Sequence, residues 1–308
     1  NDGNGLYELS KKINNKFLIN YDLFFNQMSK NKIRFFLGDV RDLKRCYEIT
    51  KGVDIVIHAA AIKHVNISEY NSNEAIQTNF IGTKNILRAS IRNKVSKFLF
   101  ISTDKVVSPT NVMGKSKMLA ENYVINLKKK TKNKKIKVSA IRFGNVIGSR
   151  GSVVPNFVSL LNKKRNIIVT DKKMARFVMT INDSIKLIIR ALNYMKGNEI
   201  FILKSMKCFK IIDLALALLK FYKKKGNRTS KILISKHGKG EKFEEELYSL
   251  KEISKINIYK DMFVIRKNLK INSKKDLNKI KKFRVSNFNF MSKKEIIELL
   301  KKNREIKI

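Results

Sequence analysis

Ser102-Thr103-Asp104-Lys105 closes a short apolar run, and Met113-Gly114-Lys115-Ser116-Lys117 follows at the start of a helix-length stretch. A hydroxyl, a carboxylate and an amine in consecutive positions are groups that hold and move protons. Met113 and Lys117 stand four residues apart, so a helix places them on one face. An exposed Asp-Lys pair in a loop and an ordinary surface lysine are the plain alternatives, and these residues by themselves leave both open.

The elements that must position these groups alternate. Ile33 to Leu37, Val53 to His58, Lys97 to Ile101 and Lys137 to Phe143 have the β-rich apolar character of buried strands, with helical periodicity over Asn73 to Asn93 and Val112 to Lys128. Such alternation predicts an α/β fold, a doubly wound parallel sheet, whose ligands bind beyond the carboxyl ends of the strands. Each strand ends there in a polar or small-residue phrase: GDVRD, HAAA, STDK and RFGN.

Beyond Gly148 the pattern predicts helices at Val153 to Leu161 and Ile181 to Tyr194, and strands at Ile167 to Thr170 and Glu199 to Leu203. From about Lys207 the chain is expected to be more helical and more basic, a smaller unit carried on the sheet. The expected division is a Rossmann-like domain over 1–148 and a mainly substrate-binding region over 149–308, with about 181–205 returning to the sheet. No stretch before Ile33 supplies a first strand and glycine-rich turn. Gly3 and Gly5 follow no strand and have Glu8 where a third glycine belongs, so the chain is expected to start after the second strand, near an Asp2 facing the adenosine ribose.

Composition adds boundaries. The 308 residues are 43% hydrophobic, enough for a large core. No apolar run reaches the roughly 20 residues of a membrane helix, and no signal peptide opens the chain, which predicts a soluble, cytoplasmic protein. Cys46 and Cys208 have no metal or disulfide spacing, so no metal is expected. The net charge of +42 suggests nucleic acid or an anionic surface. Yet lysines spread along the whole chain, with a solvated loop at Lys128 to Lys135, and no aromatic stacking stripe accompanies them, so no nucleic-acid partner is expected. Both prolines and many of the 13 glycines instead fall within the phrases singled out here.

In order and spacing, FFLGDVRD (35–42), VDIVIHAAAIKHV (53–65), TNFIGTKNIL (78–87), ISTDKVVSPTNVMGKSK (101–117), IRFGNVIGSRGSVVP (141–155), ARFVMT (175–180) and GEKFEEEL (240–247) resemble the UDP-N-acetylglucosamine 4,6-dehydratases, extended short-chain dehydrogenase/reductases of polysaccharide biosynthesis. The resemblance implies tightly bound, recycled NAD rather than NADP, a UDP-sugar substrate and a homo-oligomer paired through two long helices. A membrane is implied only through an upstream anchor, on the cytoplasmic face, as LYEL at 6–9 suggests.

It also implies roles. Asp39 and Val40 meet the adenine, Ala59, Ala60 and Ala61 admit the adenosine, and Asn79 organises the site. Lys117 holds the nicotinamide ribose. Met113 replaces the superfamily's tyrosine, as in the longer dehydratases. Thr103 bonds the C4 oxygen, Lys105 takes the C5 proton once burial or cations such as Lys117 lower its pKa, and Asp104 protonates the leaving C6 hydroxyl. Lys63, His64, Asn145 and Arg150 line the sugar loop, while Arg176 and Glu241 contact the uridine diphosphate. Gly238, with Lys236 and Lys239 nearby, stands where the family often has arginine. Dehydration is the expected activity; a nucleotide-sugar epimerase or reductase, or an inactive truncated copy, is the alternative.

Overall fold

The computed structural model describes residues 5–8, 34–127, 136–224, 226, 229–235, 240–266, 280 and 289–302. Asp2, the Lys128 to Lys135 loop and the Lys236 to Lys239 stretch lie outside the described residues.

A six-stranded sheet forms the centre, ordered β1-β2-β3-β7-β11-β10. Strands β1 (Ile55–His58), β2 (Lys97–Thr103), β3 (Lys137–Phe143) and β7 (Ile200–Leu203) run parallel. Strands β10 (Ile256–Tyr259) and β11 (Met262–Ile265) form an antiparallel hairpin on the β7 side. The inner parallel strands are apolar on both faces, as expected where helices cover a sheet from both sides. Phe98, Leu99 and Phe100 of β2 and Ile141 of β3 are fully buried.

Helices α1 (Leu43–Ile49), α4 (Gly82–Arg92), α5 (Val112–Ile125) and α7 (Ile181–Tyr194) pack around this sheet. Local chemistry sets their starts. The Asp42 carboxylate accepts from Arg45 N at 3.0 Å, and Asn111 Oδ1 accepts from Gly114 N at 2.8 Å. Thr180 and Asp183 close a reciprocal capping box on α7.

A second core joins α6 (Val153–Asn162), α8 (Ile211–Lys224) and α9 (Lys293–Lys302) with two small sheets. One orders β4 (Asn145–Val146), β6 (Ala175–Met179) and β8 (Lys207–Lys210); the other pairs β5 (Ile167–Val169) with β9 (Ile232–Ile234).

Several expectations are corrected. Residues 34–37 form no strand: Phe36 and Leu37 remain 50% and 57% exposed. Among the described residues nothing pairs with the outer edge of β1, and an apolar run becomes a strand only when a ladder takes up its backbone groups. The single helix expected over Asn73 to Asn93 is α3 (Ser72–Ile76), a π-helical turn (Gln77–Ile81) and α4. Short α2 (Val65–Tyr70) precedes them. Among the described residues from Lys207 onward there are four strands, and 256–265 adds to the central sheet along with β7. Among the described residues no helix is long and apolar enough to cross a membrane.

Candidate active site

Strand β2 delivers Thr103 to the carboxyl edge of the sheet, where a 3₁₀ turn over Asp104–Val106 bends the chain. Asp104 is fully buried. Its Oδ1 accepts from Thr103 Oγ1 at 2.8 Å and from Lys105 Nζ at 3.0 Å. Lys105 Nζ also donates to Asn145 Oδ1 at 3.4 Å. The pair is thus part of the interior, and the exposed-loop alternative is excluded.

Gly114 lets α5 begin against this turn. A Cβ there would stand 2.6 Å from the Lys105 carbonyl oxygen, which backbone cannot yield easily. The helix then places Met113 and Lys117 in the same cleft, of about 320 Å³, as Thr103 and Lys105. Lys117 Nζ donates to Ile101 O at 2.6 Å and lies over the Phe100 ring. Burial pulls its pKa down to about 7, against the opposing pull of Glu121. His58, buried below the cleft and bonded to Thr83 Oγ1, is held neutral by desolvation, its pKa down at about 3.

The opposite wall is the turn after β1. Ala59 and Ala61 line the cleft with Lys63 and His64. Asn79 shapes this turn from the π-helical segment. It is buried, its Oδ1 accepts from Ile62 N at 2.8 Å, and its Nδ2 donates to Ile62 O and Ser116 Oγ. Its amide is therefore occupied in joining the β1 turn to α5. A π-turn at such a place re-aims one side chain inward. Lys63 Nζ donates to Arg150 O, and the His64 ring covers Gly151. These contacts bring the two sugar-loop segments together, though the Arg150 side chain is outward.

A second cavity, of about 420 Å³, shares Asn145, Gly151 and Ser152 with the first and holds Arg176 and Glu241. Arg176 donates to the carbonyls of Ala175 and Phe243. Asp39 is tied to Arg41, its oxygens accepting from Nε and Nη2, and these bonds hold its carboxyl below the usual range. Val40 lines neither cavity; its side chain packs where Gly82 lacks one, and its carbonyl accepts from Asn85. One expectation is corrected at this point: the pKa of Lys105 is not lowered. Burial pulls its pKa down, but Asp104 and Glu245 outweigh it and the ammonium is favoured.

Glu245 is a residue that sequence reasoning missed. It comes from the segment 240–252, which is fastened to the site at several points. Thr110 and Asn111 donate to Gly240 O, Lys242 Nζ to Val107 O at 2.6 Å, and Arg142 to Leu247 O. The phrase GEKFEEEL contains three consecutive glutamates in an irregular stretch with no period to sort them. Only Glu245 turns inward, 4% exposed, with Oε1 3.8 Å from Lys105 Nζ. Desolvation raises its pKa despite the cations around it.

A model of the family described as polysaccharide biosynthesis protein matches residues 5–267. The chain belongs to that family. This branch of the extended short-chain dehydrogenase/reductases accounts for the sheet and its ligand edge. The family member is 42% identical over 187 residues to the inverting UDP-N-acetylglucosamine 4,6-dehydratase of Campylobacter jejuni, covering 60% of this chain and 56% of that one. It is 37% identical over 238 residues to a protein named UDP-glucose 4-epimerase from Rickettsia canadensis, covering 77% and 68%. The X-ray structure of Pen from Bacillus thuringiensis superposes with a TM-score of 0.82 at 35% identity, covering 93% of this chain and 88% of that one.

Proposed function

We propose that the protein removes one water from a UDP-N-acetylhexosamine, UDP-N-acetylglucosamine in the first instance, to give a 4-keto-6-deoxy sugar for polysaccharide synthesis. The observation that carries this reading is Lys105 on the wall of the cleft that also holds Thr103, Met113 and Lys117, with the buried Asp104 carboxylate bonded to both Thr103 and Lys105. Eliminating water across C5 and C6 needs a base for the C5 proton and an acid for the departing hydroxyl. An amine and a carboxylate side by side supply both.

The cleft fits the nicotinamide end of NAD: Lys117 and Thr103 are among its lining residues and would hold that end, while Ala59 and Ala61 present no more than a methyl group to it. Bound NAD supplies an acceptor for hydride from C4 and the donor that returns it to C6. In this assignment Thr103 Oγ1 bonds the C4 oxygen and passes the 4-hydroxyl proton to Asp104, to which it is hydrogen-bonded. Lys105 takes the C5 proton, and Asp104 gives the proton it received to the C6 oxygen as that leaves as water. Arg176, a planar fork beside the second cavity, takes the diphosphate, and Glu241 the nucleoside end. Asn145 lies between the two.

A 4-epimerase reading is favoured by the Rickettsia relative's name. Met113 speaks against it, since a thioether exchanges no proton where that reaction needs a tyrosine. Mass spectrometry of UDP-N-acetylglucosamine incubated with the protein and NAD separates the two. Dehydration removes one water from the sugar, and Lys105→Ala slows this by about 100-fold or more. Epimerisation leaves the mass unchanged. An NAD-bound protein that never changes the mass, or a Lys105→Ala variant at normal rate, overturns the dehydratase assignment.

A further inference from the structure

Lys105 poses a chemical conflict. An amine accepts a proton only when neutral, yet the surroundings of Lys105 favour the ammonium. The groups facing it are Asp104 from its own turn, Asn145 from β4, Arg176 from β6 and Glu245 from the 240–252 segment. Two of the four are carboxylates.

We infer that Glu245 is the residue that relieves Lys105 of its proton, passing it from Nζ to Oε1 and returning it at the end of the cycle. The inference rests on the dehydratase reading and deepens it. Glu245 touches no reacting atom, so it acts through Lys105 as a positioning residue.

Position selects Glu245 among the three consecutive glutamates, and role separates it from Asp104. Its side chain is 4% exposed, whereas its neighbours Glu244 and Glu246 are not buried. Its Oε2 has no hydrogen-bond partner and lies 3.9 Å from Lys242 Nζ, which already donates to Val107 O. Asp104 also has a buried oxygen without a partner, but its Oδ1 accepts from Thr103 and Lys105, and in the dehydratase reading it is committed to carrying the proton for the C6 oxygen. A buried carboxylate oxygen without a donor favours the protonated form, which leaves Glu245 able to take the Lys105 proton. Burial raises the Glu245 pKa in keeping with this.

The transfer balances without another partner. One N–H bond breaks and one O–H bond forms, so an ammonium and a carboxylate become an amine and a carboxylic acid with no change in total charge. A substrate that displaces water from the cleft favours the neutral pair further, because desolvation penalises both charged forms. The 3.8 Å gap between Lys105 Nζ and Glu245 Oε1 closes to hydrogen-bonding distance with a movement of about 1 Å. Anchors at Gly240, Phe243 and Leu247 flank Glu245 and keep it near that path. Lys105, now neutral, takes the C5 proton; it later gives a proton back to C5 and recovers its own from Glu245.

Two measurements on the full chain test this. In protein carrying ¹⁵N-lysine, the Lys105 Nζ resonance is assigned by its loss in Lys105→Arg and titrated in wild type, Glu245→Gln and Glu245→Asp. Glu245→Gln should lower the apparent Lys105 pKa by about one unit or more, with Glu245→Asp close to wild type. An unchanged titration in Glu245→Gln overturns the pairing. In steady-state kinetics, Glu245→Gln should lower kcat by about 100-fold with KM nearly constant. Its kcat should climb as pH rises towards the Lys105 pKa, and Glu245→Asp should recover part of the rate. Equal losses in both variants with a wild-type pH profile also overturn it, leaving a structural role. A wild-type protein that dehydrates nothing strikes the functional reading instead, and the titration still decides the Lys105–Glu245 pair.

Discussion

Arg142 Nη2 stands 2.6 Å from Glu121 Oε1, so strand β3 grips helix α5 one turn beyond Lys117. The same guanidinium bonds Glu252 at 2.7 Å and 3.0 Å and the Leu247 carbonyl at 3.2 Å. One buried cation therefore locks together the strand, the helix carrying Lys117 and the segment carrying Glu245. It also occupies Glu121, the carboxylate that would otherwise keep Lys117 charged, and burial wins at Lys117.

Replacing Arg142 by Ala should be severely destabilising. Glu121 is 3% exposed and would be left as a buried carboxylate without its partner, a loss of about 3–5 kcal/mol where one member of such a pair is removed. Urea denaturation should show the double variant Arg142→Met/Glu121→Leu to be more stable than Arg142→Ala alone. Equal midpoints would mean that the pair contributes little.

Lys117 should make stability depend on pH in a defined window. Its folded pKa, about 7, lies below the ordinary 10.5, so the unfolded chain binds more protons between these values. Stability therefore rises with pH across about 7 to 10.5, by at most about 1.4 kcal/mol per unit from this group. Below pH 7 the burden of burying the ammonium is constant. Subtracting the pH dependence of Lys117→Met from that of wild type, by denaturation at each pH, isolates the term. A flat difference would show that Lys117 is charged when folded.

His58 acts in the same direction in acid. Its folded pKa is about 3 against an ordinary 6.5, so its contribution is complete above pH 6.5 and is lost as pH falls towards 3. Replacement by Gln should flatten the acid limb of a thermal-melting profile between those values. An unaltered limb would show that the ring protonates without unfolding.

At Gly151, φ is +70° and an added Cβ would fall 2.3 Å from His64 Cε1. Gly151→Ala should weaken UDP-sugar binding several-fold by calorimetry, because it strains the loop and pushes His64 aside. The pair Gly151→Ala/His64→Ala should recover the steric part and leave a strain of about 1 kcal/mol. Purely additive effects would show that the His64 ring swings away freely.

Gly114→Ala should be worse than an ordinary helical substitution. Alanine usually improves a helix, but here the Cβ would meet the Lys105 carbonyl oxygen at 2.6 Å. Overpacking of about 1–3 kcal/mol is expected, with turnover falling as the Thr103–Lys105 turn shifts. A stabilised, active Gly114→Ala protein would contradict this geometry.

Much of this was legible in the residues alone. Strands β2 and β3 lie where long apolar runs predicted them, because a strand buried on both faces needs little more than a run of apolar side chains. Met113 and Lys117 share a face because helical period dictates it, and STDK stands at the ligand edge because parallel sheets place it there. Contacts between distant segments were beyond reach. Nothing local says which of Glu244, Glu245 and Glu246 turns inward, or that Asp39 would be claimed by Arg41. Nor does the chain's order reveal that Arg142 bridges Glu121 and Glu252. The charge state of Lys105 depends on carboxylates one and 140 residues away, so the lowered pKa that the family resemblance asked of it is opposed by the folded surroundings. Residue type and period determine which elements form and which edge they offer; only tertiary packing decides which charges meet out of water, and there the strength of each interaction is set.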